Sequence, residues 1–180
     1  MYTGALGEEL SKYVESRTNG RLLVYFDHGP SRSKKIVAHL GDKPSRANNL
    51  SYVDIAVVER IGDPVGRPPR VVLLCEIEEE GARPKKIVGD LCNLIFAEGL
   101  SVGTSIYHLR GTSLLLGIRT AEDSMSEKKA NDLIRRIRQW IDHVTIADIK
   151  CVNGSTYPVL MDAVRKEVLR TSGISGPEDD

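Results

Sequence analysis

Residues Val71–Asp90 read VVLLCEIEEEGARPKKIVGD, an apolar strand that ends in acids and gives way to a helix. Successive strand side chains point to opposite faces, so Glu76 and Glu78 emerge on one side with Leu74, and Cys75 and Ile77 on the other. The stretch just before it, LSYVDIAVVE at Leu50–Glu59, alternates in the same way, with Asp54 and Ala56 set between Val53, Ile55 and Val57. Three carboxylates are thereby expected on two neighbouring strands. Burying an unpaired carboxylate costs on the order of several kcal/mol, so a fold keeps such a cluster mainly when a cation or a proton neutralises it. Oxygen-only ligands suit a hard divalent ion, and Mg²⁺ is the metal expected at Asp54, Glu76 and Glu78. The competing reading puts all three acids on the solvated face of an edge hairpin. Val71–Cys75 is apolar throughout, as expected of a strand covered on both faces, and this favours the buried site.

After Glu79, Glu80 and Gly81 the apolar period changes: Ile87, Leu91, Leu94 and Ile95 recur at helical spacing, between Pro84 near the start and Gly99 at the end. Working outward, Leu6, Leu10, Tyr13 and Val14 form one stripe of a helix over Gly4–Glu15, and a strand follows at Arg21–Phe26. Asp27–Asn49 is polar and basic around a short apolar IVAHL, which suggests a hairpin with mobile loops. Leu50–Glu59 and Arg70–Glu78 read as an antiparallel pair joined by the surface turn IGDPVGRPP. Thr104–Leu109 and Ser113–Thr120 read as strands, and Ser126–Val144 as the clearest helix, with Trp140, Ile141 and Val144 inward. A short strand at Thr145–Val152 and a helix at Pro158–Arg170 complete the body. This order predicts an α/β fold, a single mixed β-sheet flanked by helices on both faces. One domain is expected over residues 1–172, with a flexible acidic tail at 173–180.

The 180 residues suffice for one domain with a sizeable core. Lys and Arg total 25, as do Asp and Glu, so the formal charge is zero and no excess positive field attracts phosphates; nucleic-acid contact must come from local patches. No apolar run approaches about 20 residues, and MYTGALGEELSKY has neither a basic region nor a long apolar one. The expectation is no membrane association and a cytoplasmic location. Cys75, Cys92 and Cys151 lie in apolar company without CxxC or Cys/His spacing, and read as buried small hydrophobes rather than zinc ligands or disulfide partners. His28, His39, His108 and His143 are scattered and read as structural or exposed. No nucleophile elbow, phosphate-binding loop, dinucleotide fingerprint or HExxH motif is present.

The element order and the placing of the acids resemble the PD-(D/E)XK nucleases of the restriction-endonuclease-like fold, over roughly Leu6–Ile118. That family's pattern is a helix, three antiparallel strands, a helix and another strand, with an acid opening one strand and an acid-x-Lys pair on the next. Asp54 matches the first acid and Glu76 the second, and Glu78 stands where the family usually has Lys. Some restriction enzymes resemble this chain in carrying Glu-x-Glu; others place the basic residue on the following helix, where Lys85 and Lys86 stand. Glu9, in the first helix, matches a further acid that some members contribute. The resemblance implies a metal-dependent DNA endonuclease in which Asp54, Glu76 and Glu78 hold Mg²⁺ and Lys86 or Lys85 assists. The metal there activates a water for in-line displacement at the phosphate.

Arg32, Lys34, Lys35, Lys43 and Arg46 make Ser31–Asn49 the best candidate for phosphate contacts, against the plainer reading of a solvated loop. The basic face of the long helix, with Lys128, Lys129, Arg135, Arg136 and Arg138, reads as solvated. Aromatic residues are few, which argues against stacking platforms for single strands and for contacts mainly to the DNA backbone. The neutral charge and the Glu at the Lys position support an alternative of a different class. This is a catalytically inactive protein of the same fold, acting as a nucleic-acid-binding or protein-interaction module, with a homodimer as one form. An unrelated α/β protein with a polar sheet edge is the third reading.

Overall fold

The computed structural model of the chain describes residues 2–29, 34–62, 69–78, 83–118, 125–139, 146–153 and 156–173. Arg32, Glu79, Glu80, Trp140, Ile141, His143, Val144 and the tail beyond residue 173 lie outside the described residues. In chain order the elements are α1 (Tyr2–Thr18), β1 (Leu22–Phe26), β2 (Ile36–His39), β3 (Asn49–Tyr52), β4 (Ile55–Glu59), β5 (Val71–Glu78), α2 (Pro84–Ile95), β6 (Gly99–Val102), β7 (Ser105–His108), β8 (Thr112–Ile118), α3 (Glu127–Gln139), β9 (Ile146–Asn153) and α4 (Tyr157–Ser172).

The α/β class holds, but the strands form two sheets and not the single one expected. The first has the order β1-β4-β5-β8-β9 and the second β3-β2-β6-β7. In the first sheet β1, β4 and β5 run antiparallel, whereas β8 and β9 run parallel to β5. The second sheet is antiparallel throughout. Two sheets arise because Leu50–Glu59 is not one strand. Its first half pairs with β2, and the Val53 N–H donates to Ile36 O at 3.0 Å; its second half joins the first sheet, where Asp54 O accepts from the Asp27 N–H at 2.9 Å. Val53 and Ile55 are both fully buried, so the apolar alternation runs straight through the break.

IVAHL is the inner strand β2, held between β3 and β6. Its loop is an ordered turn built around Asn48, whose Oδ1 accepts from the Ser45 N–H at 2.6 Å and whose Nδ2 donates to Leu40 O and Lys43 O at 2.7 and 2.8 Å. One side chain thus satisfies both strands of the turn.

Two cores sandwich the first sheet. On one face Leu6, Leu10 and Val14 of α1 and Leu160, Met161 and Val164 of α4 pack on Ile55, Val57, Leu73 and Cys75. On the other, Ile87, Leu91 and Leu94 of α2, Ala130 and Ile134 of α3 and the apolar side of the second sheet cover Ala56, Leu74, Leu114 and Leu116. Strand β5 is buried from Val71 to Glu76, as its unbroken apolar run requires. A Cβ on Gly7 would lie 2.3 Å from the Phe26 ring, so only glycine lets α1 settle on the end of β1. Among the described residues no helix is long and apolar enough to cross a membrane.

At the amino ends of β8 and β9 a charge network ties both helix layers to the sheet. The buried Glu167 of α4 accepts from Lys150 at 3.2 Å and from Arg170, and Arg170 also donates to Asp148 at 2.8 Å and Ser113 at 3.3 Å. Asp148 meets Arg138 of α3 at 3.5 Å. Burial by itself would raise the Glu167 carboxyl, but Arg170 and Lys150 outweigh it and hold it below the usual range. A depressed carboxyl contributes stability that is present above its unfolded pKa, about 4.3, and is lost as pH falls through the lower folded value. Glu167→Gln is therefore expected to cost about 1–2 kcal/mol at neutral pH, discounted for the half-exposed partners. Denaturant melts should show that difference shrinking as the pH is taken below about 4; a gap independent of pH would refute an ionised Glu167.

Candidate active site

The antiparallel ladder of β4 and β5 reaches Ile55 opposite Cys75 and then loses its partner, because the chain upstream of Asp54 belongs to the other sheet. The next donor on β5, the Ile77 N–H, is taken by the Asp54 side chain, with Oδ2 accepting at 2.8 Å. That bond fixes the Asp54 carboxyl beside Glu76, and the two carboxyl groups are in hydrogen-bonding contact. Glu76 is only 9% exposed. Its Oε1 is buried with no hydrogen-bond partner. On the far side of Asp54, His28 Nδ1 lies 3.8 Å from Oδ1.

Strand β5 passes almost directly into α2, which brings two helix residues back over the strand end. Lys86 Nζ sits 2.5 Å from Glu78 Oε2, and Asp90 is hydrogen-bonded to the same Glu78 carboxyl. Lys85, the other candidate, is exposed, and it is Lys86 that reaches the acids. Asp54, Glu76, Glu78, Asp90 and Lys86 thus lie at one end of the first sheet, at the carboxyl ends of the parallel strands β5 and β8. Open α/β sheets commonly bind ligands at that end.

Burial pushes Glu76 well above the ordinary glutamate range, and the neighbouring charges of Asp54, Asp90 and Glu78 push it further. Asp54 is also raised by burial, against the opposing pull of the Ile77 N–H and of His28. Glu78 is raised by burial, with Lys86 drawing it down and Asp90 pushing it up. The cluster therefore favours positive charge or protons. Among the described residues no three His, Cys, Asp or Glu groups converge to enclose a metal unaided. The pair still suits Mg²⁺, which is commonly held by one or two carboxylates and completes its shell with waters and phosphate oxygens. The unpartnered, buried Glu76 Oε1 is the observation that fits such an ion.

Glu9 does not join this cluster. Its carboxylate accepts from Tyr157 at 2.7 Å and Arg165 at 2.6 Å, between α1 and α4. Those helices cover the face lined by Ile55 and Cys75, whereas Glu76 shares the side of Leu74 and Ala56. The first-helix acid is a helix-to-helix tie instead.

The basic candidates divide. Lys34 borders the site, its N–H donating to Phe26 O at 2.8 Å while Phe26 pairs with Ile55. Lys35 lies over the Tyr52 ring at 4.2 Å. Lys43 and Arg46 are exposed on the Asn48 turn. Asp90 and His28 join the acids although the sequence reading gave them other parts, Asp90 as an ion-pair partner for Lys86 and His28 as structural or exposed. Asp90 could have been found, because it lies on the stripe of Ile87, Leu91 and Leu94 at a spacing of three and four. No sequence signal marks His28, which is brought in by the fold of the chain after β1.

Comparison with protein-family models, with curated proteins and with solved structures finds no match to this chain.

A carboxyl with a raised folded pKa contributes stability below its unfolded value, about 4.3, and that contribution is lost as pH rises through the folded value. The metal-free protein should thus lose stability on this account as neutrality is approached, opposite in sign to Glu167. Glu76→Gln is expected to flatten the dependence and raise Tm at pH 7 by about 2–6 °C, the equivalent of roughly 1–2 kcal/mol. Millimolar Mg²⁺ should raise the Tm of the wild type and leave Glu76→Gln unmoved. A variant that melts lower at every pH would defeat the buried-charge account.

Proposed function

We propose that this protein is a metal-dependent nuclease that hydrolyses phosphodiester bonds in DNA, with Asp54 and Glu76 as its metal-holding pair. One observation carries the reading: two carboxyls in contact, one of them buried with an unpartnered oxygen, at the carboxyl ends of the parallel strands. The order helix, three antiparallel strands, helix and a fourth strand parallel to the third also supports it, through α1, β1, β4, β5, α2 and β8. That is the order implied by the likeness to PD-(D/E)XK nucleases, with β2–β3 and β6–β7 inserted to build the second sheet.

When bound, Mg²⁺ would supply Lewis-acid stabilisation of the phosphate and a more acidic water. The chain's own residues do the rest. The Ile77 N–H holds the Asp54 carboxyl in a single orientation, and the apolar residues Leu74, Leu116 and Ile118 around the strand ends lower the local dielectric. Lys86 brings an ammonium to the lip of the site from α2, where it can face charge developing on a phosphate. Glu78 anchors that ammonium, which accounts for an acid at the position where the family usually has Lys.

The same contact favours the second reading. An ammonium held by Glu78 at 2.5 Å is committed to an ion pair, and an inactive DNA-binding module would have such a site.

The purified protein is expected to cut DNA with Mg²⁺ or Mn²⁺ and to stop on addition of chelator. Asp54→Asn and Glu76→Gln should each lower the rate by about a hundredfold or more, as for loss of a principal electrostatic stabiliser, and Lys86→Ala by less. Cleavage unchanged in Glu76→Gln would reject the assignment. Salt-sensitive DNA binding without cleavage, weakened by Lys34→Glu and Lys35→Glu with or without metal, would establish the inactive module instead.

A further inference from the structure

Against the sequence expectation that stacking platforms are absent, we infer from the exposure of Tyr52 that it is a stacking platform for an unpaired base, so that the DNA taken by the Asp54–Glu76 site is single-stranded or frayed. The inference rests on the proposed function for its location, and on separate residues for its content. Tyr52 is 52% exposed and stands at the end of β3, an edge strand of the second sheet. It precedes Asp54 by two residues, so the two Cα atoms lie at most about 7 Å apart. Lys35 Nζ lies 4.2 Å from the ring centroid. The register explains the pairing: Tyr52 stands opposite Val37, and Lys35, two residues before Val37, emerges on the same side.

The exposed ring and the exposed ammonium that lies over its face offer the two contacts that a nucleotide needs once Lys35 swings from the ring to the phosphate, a surface for the base and a charge for its phosphate. In a duplex each base is covered on both faces by its neighbours. A tyrosine on a strand can stack only on a base outside that stack. Charge complementarity indicates the course of the backbone. Between Lys34 and Tyr52 the chain carries Lys34, Lys35, Lys43 and Arg46 against the single acid Asp42. Asn48 holds the turn that presents Lys43 and Arg46, and β3 leads from there to Tyr52 and the acids.

The other aromatic groups are less suited. Tyr25, with Lys34 at 5.2 Å, is partly buried and its hydroxyl contacts that of Tyr107 at 3.3 Å. Phe96 is exposed but caps the carboxyl end of α2, away from the end that carries Lys86.

The test is fluorescence anisotropy without divalent metal, using a labelled oligothymidine of about 15 nucleotides and a blunt two-stranded DNA duplex. Tyr52→Ala is expected to weaken oligothymidine binding about tenfold with duplex affinity unchanged, and Tyr52→Phe to retain wild-type binding. Lys35→Ala should weaken both ligands and reduce the salt slope by about one unit or somewhat less. With Mg²⁺, Tyr52→Ala should raise KM for single strands while leaving kcat unchanged. Equal losses on both ligands, no loss on either, or no single-strand binding by the wild type would overturn the inference. Asp54-dependent cleavage that Tyr52→Ala leaves intact would remove the platform and keep the nuclease. Tyr52-dependent single-strand binding without cleavage would do the reverse.

Discussion

The arrangement at the sheet end depends on the hydrogen bond from the Ile77 N–H to the Asp54 side chain. Strand β5 needs an acceptor there, because a buried backbone donor left alone costs about 1–3 kcal/mol. Backbone cannot supply it, since the chain before Asp54 has crossed to the second sheet, where the Val53 N–H bonds to Ile36 O. A short acidic side chain at the crossing meets the demand of one sheet while its own main chain leaves for the other. The consequence is electrostatic: a carboxylate recruited for a structural bond is set against Glu76, the next outward-facing residue of that face.

The two ends of the first sheet contrast in how they treat a buried glutamate. Glu167 is met by Lys150 and Arg170, and its carboxyl is held low. Glu76 meets Asp54 and the field of Asp90, and its carboxyl is driven high. Both glutamates have side chains that are almost fully buried, so burial alone does not separate them; the sign of the neighbouring charges does. A fold that satisfies one end and leaves the other with an orphaned oxygen spends stability at that position, which is the pattern expected of a functional site.

Much of this was legible in the sequence, where period and burial coincide. The run Val71–Glu78, the helix after Pro84 and the stripes of α1 and α4 follow from apolar spacing, because each buries one face or both. The break at Val53–Asp54 was not legible. Val53 and Ile55 are buried in different cores, and a period of two cannot distinguish one strand from two collinear halves. Nor was the second sheet, whose central pairing joins Ile36–His39 to Gly99–Val102 across β4 and β5 of the first sheet and the helix α2. Glu9 was misplaced because the first helix lies on the opposite face from Glu76, a choice of side that alternation in the strands does not encode. Cys75 and Cys151 are buried and Cys92 is partly so, in agreement with their apolar surroundings, and all three are free.

Glu78 and its partner on α2 follow a consistent charge logic. Lys86 and Glu78 cancel each other at 2.5 Å, so the cation on α2 leaves the balance at Asp54 and Glu76 unimproved. A single shared proton removes one of the two remaining charges, and raised carboxyl affinities allow that only at the cost of a ligand oxygen. A divalent ion would remove both and would give the buried, unpartnered Glu76 Oε1 a partner. The ion pair at the rim and the unpaired acids within therefore act together. Glu78 holds the ammonium of Lys86, which leaves the Asp54 and Glu76 carboxyls to raise each other's cost of ionisation, and this is the imbalance that the proposed divalent cation would relieve.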